Sequence, residues 1–503
     1  MAPRIVPLLA AAVTLVLGAC TLEPHYHRPA APMPAPAGGQ PGATAAADIG
    51  WREFFPDPQL QQLIAISLAN NRDLRVAVLN VQSAQARYRI QRAELFPTID
   101  ATATESVEEF PNGVLGTSSG PGGGAGAVPT GGTTLRFYDV GIGFTSYELD
   151  FFGRIRSLNH AALQQYFSSA ETRRSVQLTL VAQVASAYLT VLADQTLLDI
   201  TRETLTSQSE SYDLTQQSFA AGTTTELALR QAETTVDTAR ANLAQYQQAF
   251  AQDRDALQVL LGTPIPDGID FSQGLDRGNL VAELQEGIPS DVLLRRPDVL
   301  AAEDQLRSAN AQIGAARAAF LPAISLTGSF GTASTELSGL FKTGSRFWTF
   351  SPQISVPIFA GGANVANLQA TNLARDTAVA QYEKSIQTAF REVADGLVAR
   401  GTLDEQVSAL QALVDASAVA YKLADMRFRG GVDSYLDALV EQRQLYTAQQ
   451  QLQNARLLRL ENLVTLYKAL GGGLLEHTSN AQPTPQASRS DRPLGTSLPP
   501  GSN

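Results

Sequence analysis

Side chains able to do chemistry are few in this chain and widely scattered. There is one cysteine, Cys20, and four histidines, His25, His27, His160 and His477. His25 and His27 flank Tyr26, but no cysteine or carboxylate ligand set accompanies them, so a metal site is not expected. The glycine run Gly122-Gly123-Gly124 is followed by no Gly-Lys-Ser/Thr, so it is not a phosphate loop, and no nucleotide-binding motif appears elsewhere. Catalysis therefore finds no support, and no cofactor is expected. Two features remain. One is the lone thiol, which in an exported chain has no disulfide partner. The other is a group of charges beside two glycine turns. Arg427 and Arg429 precede Gly430-Gly431, and Asp433 and Asp437 follow it. Glu226 occupies the matching region after an earlier turn at Gly222-Thr223.

The thiol is explained by what precedes it. Arg4 is the only charge before an apolar run over residues 5–17, which ends in Leu17-Gly18-Ala19-Cys20. A basic start, a short apolar core and small residues before a cleavage point describe a secretory signal, and the run is too short to span a bilayer comfortably. The pattern resembles a bacterial lipoprotein signal. That resemblance implies cleavage before Cys20 and a covalent lipid on it; Thr21 in the next position favours the outer membrane. Residues 28–47 are rich in Pro, Ala and Gly and read as an extended tether without a core. The tail 479–503 has a similar composition and is expected to be disordered. The net charge of -11 makes nucleic acid and anionic membrane surface poor candidate partners.

The elements that must position these residues come in duplicate. Tyr212 and Tyr421, Phe219 and Phe428, Gly222 and Gly431, Leu227 and Leu436, and Leu261 and Leu470 are all 209 positions apart. Residues 73–97 align with 298–322 at an offset of 225. Each half reads as helix, two strands, long helix, turn, helix. The first half gives helix 72–95, strands 98–109 and 136–149, helix 154–219 and helix 224–261. The second gives helix 298–320, strands 323–333 and 347–358, helix 364–429 and helix 433–470. The long helices have about 66 residues, or ~100 Å at ~1.5 Å per residue. The two short helices of each half sum to nearly the same length, so stacked end to end they would match one long helix. Leu178, Val181, Ala185, Tyr188 and Leu192 keep a 3-4 spacing, as do Leu445, Ala448, Leu452 and Ala455. Charged residues make up 17% of the chain, below the typical ~25%, which suits helices packed side by side.

The strands alternate. Ile324, Leu326, Gly328 and Phe330 oppose Ser325, Thr327 and Ser329. Trp348, Phe350, Ile354, Val356 and Ile358 share a face, and Val140, Ile142 and Phe144 oppose Asp139, Gly141 and Thr145. Each strand is long enough to cross an outer membrane when tilted. Four strands cannot close a barrel, which takes about eight, and open edges are not viable in lipid. Several copies must therefore contribute. Eight strands would be filled by side chains, so more than two copies are preferred.

Several blocks then resemble one family. Arg295-Arg296-Pro297-Asp298-Val299, Ala309-Asn310-Ala311-Gln312-Ile313-Gly314 and Phe320-Leu321-Pro322-Ala323-Ile324 are similar to the outer-membrane factors of bacterial efflux systems, the TolC-like family in its OprM/NodT lipoprotein branch. Glu148-Leu149-Asp150-Phe151-Phe152-Gly153-Arg154 and Ala469-Leu470-Gly471-Gly472-Gly473 resemble further blocks of that family. The resemblance implies a mainly α fold with membrane β: duplicated helical hairpins form a periplasmic α-barrel, and three copies complete a twelve-stranded β-barrel. It also implies a mixed equatorial region involving residues 50–71, 262–297 and the segment after 470. Its partners would be outer-membrane lipid, a periplasmic adaptor and an inner-membrane pump that supplies energy. The implied role is an exit duct for drugs and toxic small molecules, gated at the helix tips. Asp433 and Asp437 are the first candidates for the gate, with Glu226, Arg427 and Arg429 beside them. Gly222, Thr223, Gly430 and Gly431 are the candidate adaptor contacts.

Each gate residue has a plainer alternative. Asp433 could serve as a helix N-cap. The arginines suit a helix C-terminus, and the glycines suit ordinary turns. Two other functions stay open on the residues alone. A lipid-anchored structural envelope protein does not account for the alternating strands, and an autonomous porin has no need of such long helices. The expected boundaries are a signal peptide at 1–19, a lipidated tether at 20–49, repeats at 50–284 and 285–475, and a tail at 476–503.

Overall fold

The computed structural model describes residues 21–30, 32, 46–111, 133–277, 280–282 and 294–478. Cys20, the signal segment, the Gly122-Gly123-Gly124 run and the tail from 479 lie outside the described residues. The helices are α1 (Trp51–Phe54), α2 (Pro58–Asn70), α3 (Arg72–Ala93), α4 (Arg154–Ala220), α5 (Glu226–Leu261), α6 (Pro297–Ala318), α7 (Ala363–Arg429) and α8 (Tyr435–Ala469). The strands are β1 (Asp100–Phe110), β2 (Thr133–Leu149), β3 (Ala323–Ser334) and β4 (Arg346–Ser355). Both long helices, α4 and α7, have 67 residues. The duplicated order expected from the sequence is present, with boundaries moved by a few residues. β4 ends at Ser355, opposite Ala323, where its partner β3 begins, so Val356 and Ile358 fall beyond the strand. Helix α2 was not expected from the sequence. Its Pro58 sits in the first turn, and Asp57 caps it by accepting from the Gln59 N–H at 2.9 Å.

Two compact units divide the chain. The first takes residues 1–30, 79–170 and 301–384; the second takes 31–78, 171–300 and 385–503. In the first unit the four strands form one antiparallel sheet in the order β1-β2-β3-β4, so β1 and β4 are open edges. Register pairs place Ala101, Ile142, Phe330 and Trp348 in one row across all four strands. Ile142, Phe330, Trp348, Phe350 and Ile354 are all more than half exposed and share that face. The opposite face carries Ser329 and Thr349, whose hydroxyls are 2.7 Å apart. A bulge between Phe144 and Tyr147 bends β2, with Ser146 at φ 54. A Cβ at Gly328 would meet the Phe144 ring at 2.9 Å, so this glycine makes room for its cross-strand partner.

The first unit also holds an N-terminal strap, residues 21–30, along α6. Arg317 donates to the Leu22 carbonyl at 3.2 Å and Asn310 to the Pro24 carbonyl at 2.8 Å. The buried carboxylate of Glu303 receives the Tyr26 hydroxyl at 3.2 Å and Arg307 at 2.8 Å, and it pairs with Arg28. Arg28 also donates to the Tyr382 hydroxyl at 3.1 Å, and the Arg307 guanidinium lies 4.9 Å from the centroid of the Tyr26 ring. A Cβ at Gly314 would come within 2.9 Å of the Glu23 backbone. The tether expected to start unpacked at residue 28 is therefore pinned at that end, by a carboxylate that the sequence places 275 positions away.

The second unit has its core where helix ends meet. Ser67 and Asn71 each donate to the Leu260 carbonyl, at 2.8 and 2.9 Å, which satisfies the end of α5 where α3 begins. Buried Arg296, just before α6, does the same for the Ala469 carbonyl of α8 at 2.9 Å, while it pairs with Asp298 at 2.7 Å and Glu392 at 2.8 Å. The short helices thus meet end to end in both repeats. Phe54 stacks on Tyr467 at 3.8 Å between centroids, and the Tyr188 hydroxyl donates to Asp57 at 2.7 Å. Helix α4 carries a stretch apolar enough to cross a membrane, but that stretch is mostly buried within the protein. Leu178, Val181, Ala185, Tyr188 and Leu192 from it are core residues, in line with their 3-4 spacing.

Candidate functional site

The two helix tips of the second unit are built alike. After α4, the Gly222 N–H reaches the Phe219 carbonyl at 3.0 Å and the Thr223 N–H reaches Ser218 at 2.9 Å. After α7, the Gly431 N–H reaches Phe428 at 2.9 Å and the Val432 N–H reaches Arg427 at 2.9 Å. Gly222 and Gly431 have φ of 71° and 70°, the left-handed conformation that closes a helix. Nothing lies within 4 Å of a Cβ placed at either residue, so glycine is required by backbone conformation and not by crowding. Gly430 and Thr223 complete the turns, the Thr223 hydroxyl donating to the Ser218 carbonyl at 2.9 Å.

The charges expected at a gate are present, but most are paired within their own hairpin. Arg427 grips Asp433 in a two-point contact, with Nη2 to Oδ1 at 2.8 Å. The hydrogen bond from Arg427, more than its charge, holds the Asp433 carboxyl below the usual aspartate range. Asp433 is not the helix N-cap that its sequence position suggested; the cap is Ser434, one residue on, and Asp433 is taken by Arg427 instead. Asp437 accepts from the Ser434 hydroxyl at 2.9 Å. Glu226 sits 3.5 Å from Arg230 on its own helix, and Thr225 caps α5 through the Ala228 N–H at 3.3 Å. Only Arg429 reaches the other repeat. It donates to Asp425 at 2.8 Å and lies 3.9 Å from Glu210 of α4.

Stronger ties between repeats come from residues the sequence did not single out. The Tyr421 hydroxyl of α7 is 2.8 Å from Ser207 Oγ of α4, and Gln442 of α8 donates to both, at 3.3 and 3.0 Å. This node fastens three helices from the two repeats. Tyr446 of α8 makes a second link, 3.0 Å from Thr201 and 3.4 Å from Asn242. Between the node and the tips, Ala232, Tyr435 and Leu439 form a small buried cluster, with Tyr212 and Phe428 against it. The only sequence signal for these residues was the repeat itself, which pairs Tyr212 with Tyr421 without saying what either touches.

A further polar feature of this unit is the pair Asp194 and Asp253. Burial, then the hydrogen bond and charge of Asp253, push the Asp194 carboxyl up to about 7. His160 meets Glu23 and His477 meets Glu53; among the described residues no three metal-ligating side chains come together.

Comparison with known proteins follows the same outline. Residues 63–263 and 288–472, one block per repeat, match the model of the family described as outer membrane efflux protein. The toluene efflux pump outer membrane protein TtgC of Pseudomonas putida is 48% identical over 482 residues, which cover 94% of this chain and 97% of that protein. The outer membrane protein OprJ of Pseudomonas aeruginosa is 44% identical over 469 residues, 92% of this chain and 94% of its own. Among solved structures, the open state of the MtrE outer membrane channel of Neisseria gonorrhoeae aligns with a TM-score of 0.82 at 39% identity, covering 92% of this chain and all of that one.

Proposed function

The chain belongs to the outer membrane efflux protein family, and from that premise we infer that it works as a passive, gated exit duct for small toxic molecules, not as an enzyme. The observation that carries this reading is the sheet. Four strands with two unpaired edges and one apolar exposed face cannot stand alone in lipid, and three copies supply the twelve strands of a barrel wide enough to conduct. The duct extends into the periplasm as duplicated helical hairpins, where a periplasmic adaptor and an energy-supplying inner-membrane transporter complete the export route. Gly222, Thr223, Gly430 and Gly431 form the adaptor-facing tips. A relative named for toluene supports an apolar organic cargo. Residues 1–19 are removed, Cys20 carries lipid, and residues 20–49 lead into the repeats at 50–284 and 285–475, with 476–503 as a tail.

At the tips, rings of Asp433 and Asp437 around the three-fold axis set the charge of the closed aperture, and Arg427 and Arg429 restrain it. Glu226 belongs to the outer rim of the same region. The test is reconstitution of the purified full chain in planar bilayers together with susceptibility of a deletion strain. Closed trimers, and drug sensitivity that appears only when the partner pump is present, are expected. Replacing both Asp433 and Asp437 by Ala should raise resting conductance; an unchanged trace would remove those two residues from the gate. Constitutive conductance of the unaltered protein, independent of the pump, would overturn the duct reading itself.

A further inference from the structure

The end of the sheet remote from the helices carries a charge pattern that conduction does not use. On β2 the apolar face reads Ile142, Val140, Tyr138, Arg136 toward that end, and on β4 it reads Phe350, Trp348, Arg346. Each strand places an aromatic residue and then, one step of about 6.6 Å further along the same face, an arginine; the register sets Arg346 in the row of Thr332 and Val140, so Arg136 stands four residues, about 13 Å, further along the strand direction. The hairpin joining β3 to β4 adds Lys342 beside Phe341, which is 78% exposed. Among the described residues, Arg136, Lys342 and Arg346 make no side-chain hydrogen bond or ion pair. Residues 112–132, between β1 and β2 in the sequence, include no acidic residue. Glu105 and Glu109 share the face on β1, two positions either side of Val107, the partner of Arg136, yet neither is paired with it.

We propose that Arg136, Lys342 and Arg346 form a staggered belt that binds the phosphates of the glycolipid in the outer leaflet. The proposal rests on the outer-membrane placement of the sheet. An aromatic residue at the upper edge of an apolar band sits at the level where acyl chains give way to headgroups. A cation one step above it stands at the level of the headgroup phosphates. Unpaired guanidinium groups suit phosphate because they donate two parallel hydrogen bonds. The chain as a whole carries -11, so a cluster of unpaired cations on the one face that meets lipid stands against the overall charge. Apolar contact from Phe341 and Trp348 beside these cations selects a lipid headgroup over a free anion.

The test uses purified full-length trimers in detergent and native mass spectrometry, with a bis-phosphorylated hexa-acyl glycolipid as probe. Its enzymatically dephosphorylated form and inorganic phosphate serve as comparisons. Each of Arg136→Gln, Lys342→Gln and Arg346→Gln should weaken binding of the phosphorylated probe about tenfold, the usual worth of one charged hydrogen-bond pair. The dephosphorylated form should bind the unaltered protein as weakly as the triple variant binds the phosphorylated one. Unchanged affinity in the variants, or equal binding of the two glycolipids, would overturn the proposal. So would displacement by inorganic phosphate at the probe's own concentration. Trimer mass in the same spectrum reports folding. If Arg346→Gln alone loses the trimer while Arg136→Gln and Lys342→Gln bind normally, Arg346 belongs to the seam between copies and the belt does not exist. Pump-dependent conductance should be unaltered in all three, which separates failure of this proposal from failure of the duct reading.

Discussion

Tyr421→Phe is the sharpest perturbation of the proposed gate at the helix tips. It removes one oxygen, with no change in ring shape. That oxygen lies 2.8 Å from Ser207 Oγ and accepts from Gln442 at 3.3 Å, while Gln442 keeps its own 3.0 Å bond to Ser207. One good hydrogen bond and one weak one are lost, or about 1.4 kcal/mol at the net worth of such bonds. Because the node joins α4 to α7, the loss is specific to the state in which the two repeats are held together. The equilibrium of each subunit should therefore shift about tenfold toward opening, and if three subunits open as one the factors multiply to about a thousandfold. Single-channel recording in planar bilayers measures this as open probability at fixed voltage. Ser207→Ala should act on the same tie, so the double variant should fall short of the sum of the singles by about 1 kcal/mol. Open probability equal to that of the unaltered protein, or strict additivity with Ser207→Ala, would refute the node as a closing element. Asp433 is tied to Arg427 on its own hairpin, so its removal leaves the link between repeats intact and should open the duct less than Tyr421→Phe does.

Two further outcomes can be checked. Asp194 holds its proton up to about pH 7 in the folded protein but only to about 4 when unfolded, so its contribution to stability is present below pH 4 and is lost as pH rises through 7. Asp194→Asn should therefore raise the Tm at pH 8 and leave it nearly unchanged at pH 4; an equal gain at both would show that the pair does not share a proton. Cys20→Ala should abolish incorporation of labelled palmitate into the mature chain, and retained label would place the lipid elsewhere.

Much of the fold was legible because its punctuation is chemical. Pro97, Gly222, Gly262 and Gly431 stop helices for reasons visible in a sequence, and the alternation around Phe330 and Trp348 has only one compatible geometry. The missed helix α2 had its own signal, Asp57 before Pro58, in a segment that the resemblance marked only as part of a mixed equatorial region. The cap at Ser434 was also readable. Thr225 and Ser434 are 209 positions apart, so the repeat pointed to Ser434 where local chemistry pointed to Asp433. What could not be read were contacts that depend on the rotation of one helix against another. Glu303 beside Arg28, Asp194 beside Asp253, and Tyr421 between Ser207 and Gln442 are each brought together by packing, and a polar residue on a helix gives no sign of which neighbour it faces.

The repeat also limits how the tips can move. If the two halves were equivalent, the node would occur twice in each chain. Moving each member by 209 positions gives Ala416 for Ser207, Tyr212 for Tyr421 and Glu233 for Gln442. Ala416 has no hydroxyl to offer, and Tyr212 packs instead against the apolar cluster of Ala232, Tyr435 and Leu439. The tie therefore exists once per chain, with the tyrosine always on the second hairpin. Arg429, among the described residues the one tip cation that reaches the opposite repeat, is on that hairpin too, and its counterpart at position 220 is an alanine. Both restraints thus reach from α7 and α8 to acceptors on α4, Ser207 and Glu210. On the gate proposed above, loosening them should release the second hairpin of each subunit, three around the ring, and not all six together. A spin-label pair across α7 and α8 tips of neighbouring copies should therefore separate in Tyr421→Phe while the equivalent pair on α4 and α5 stays in place.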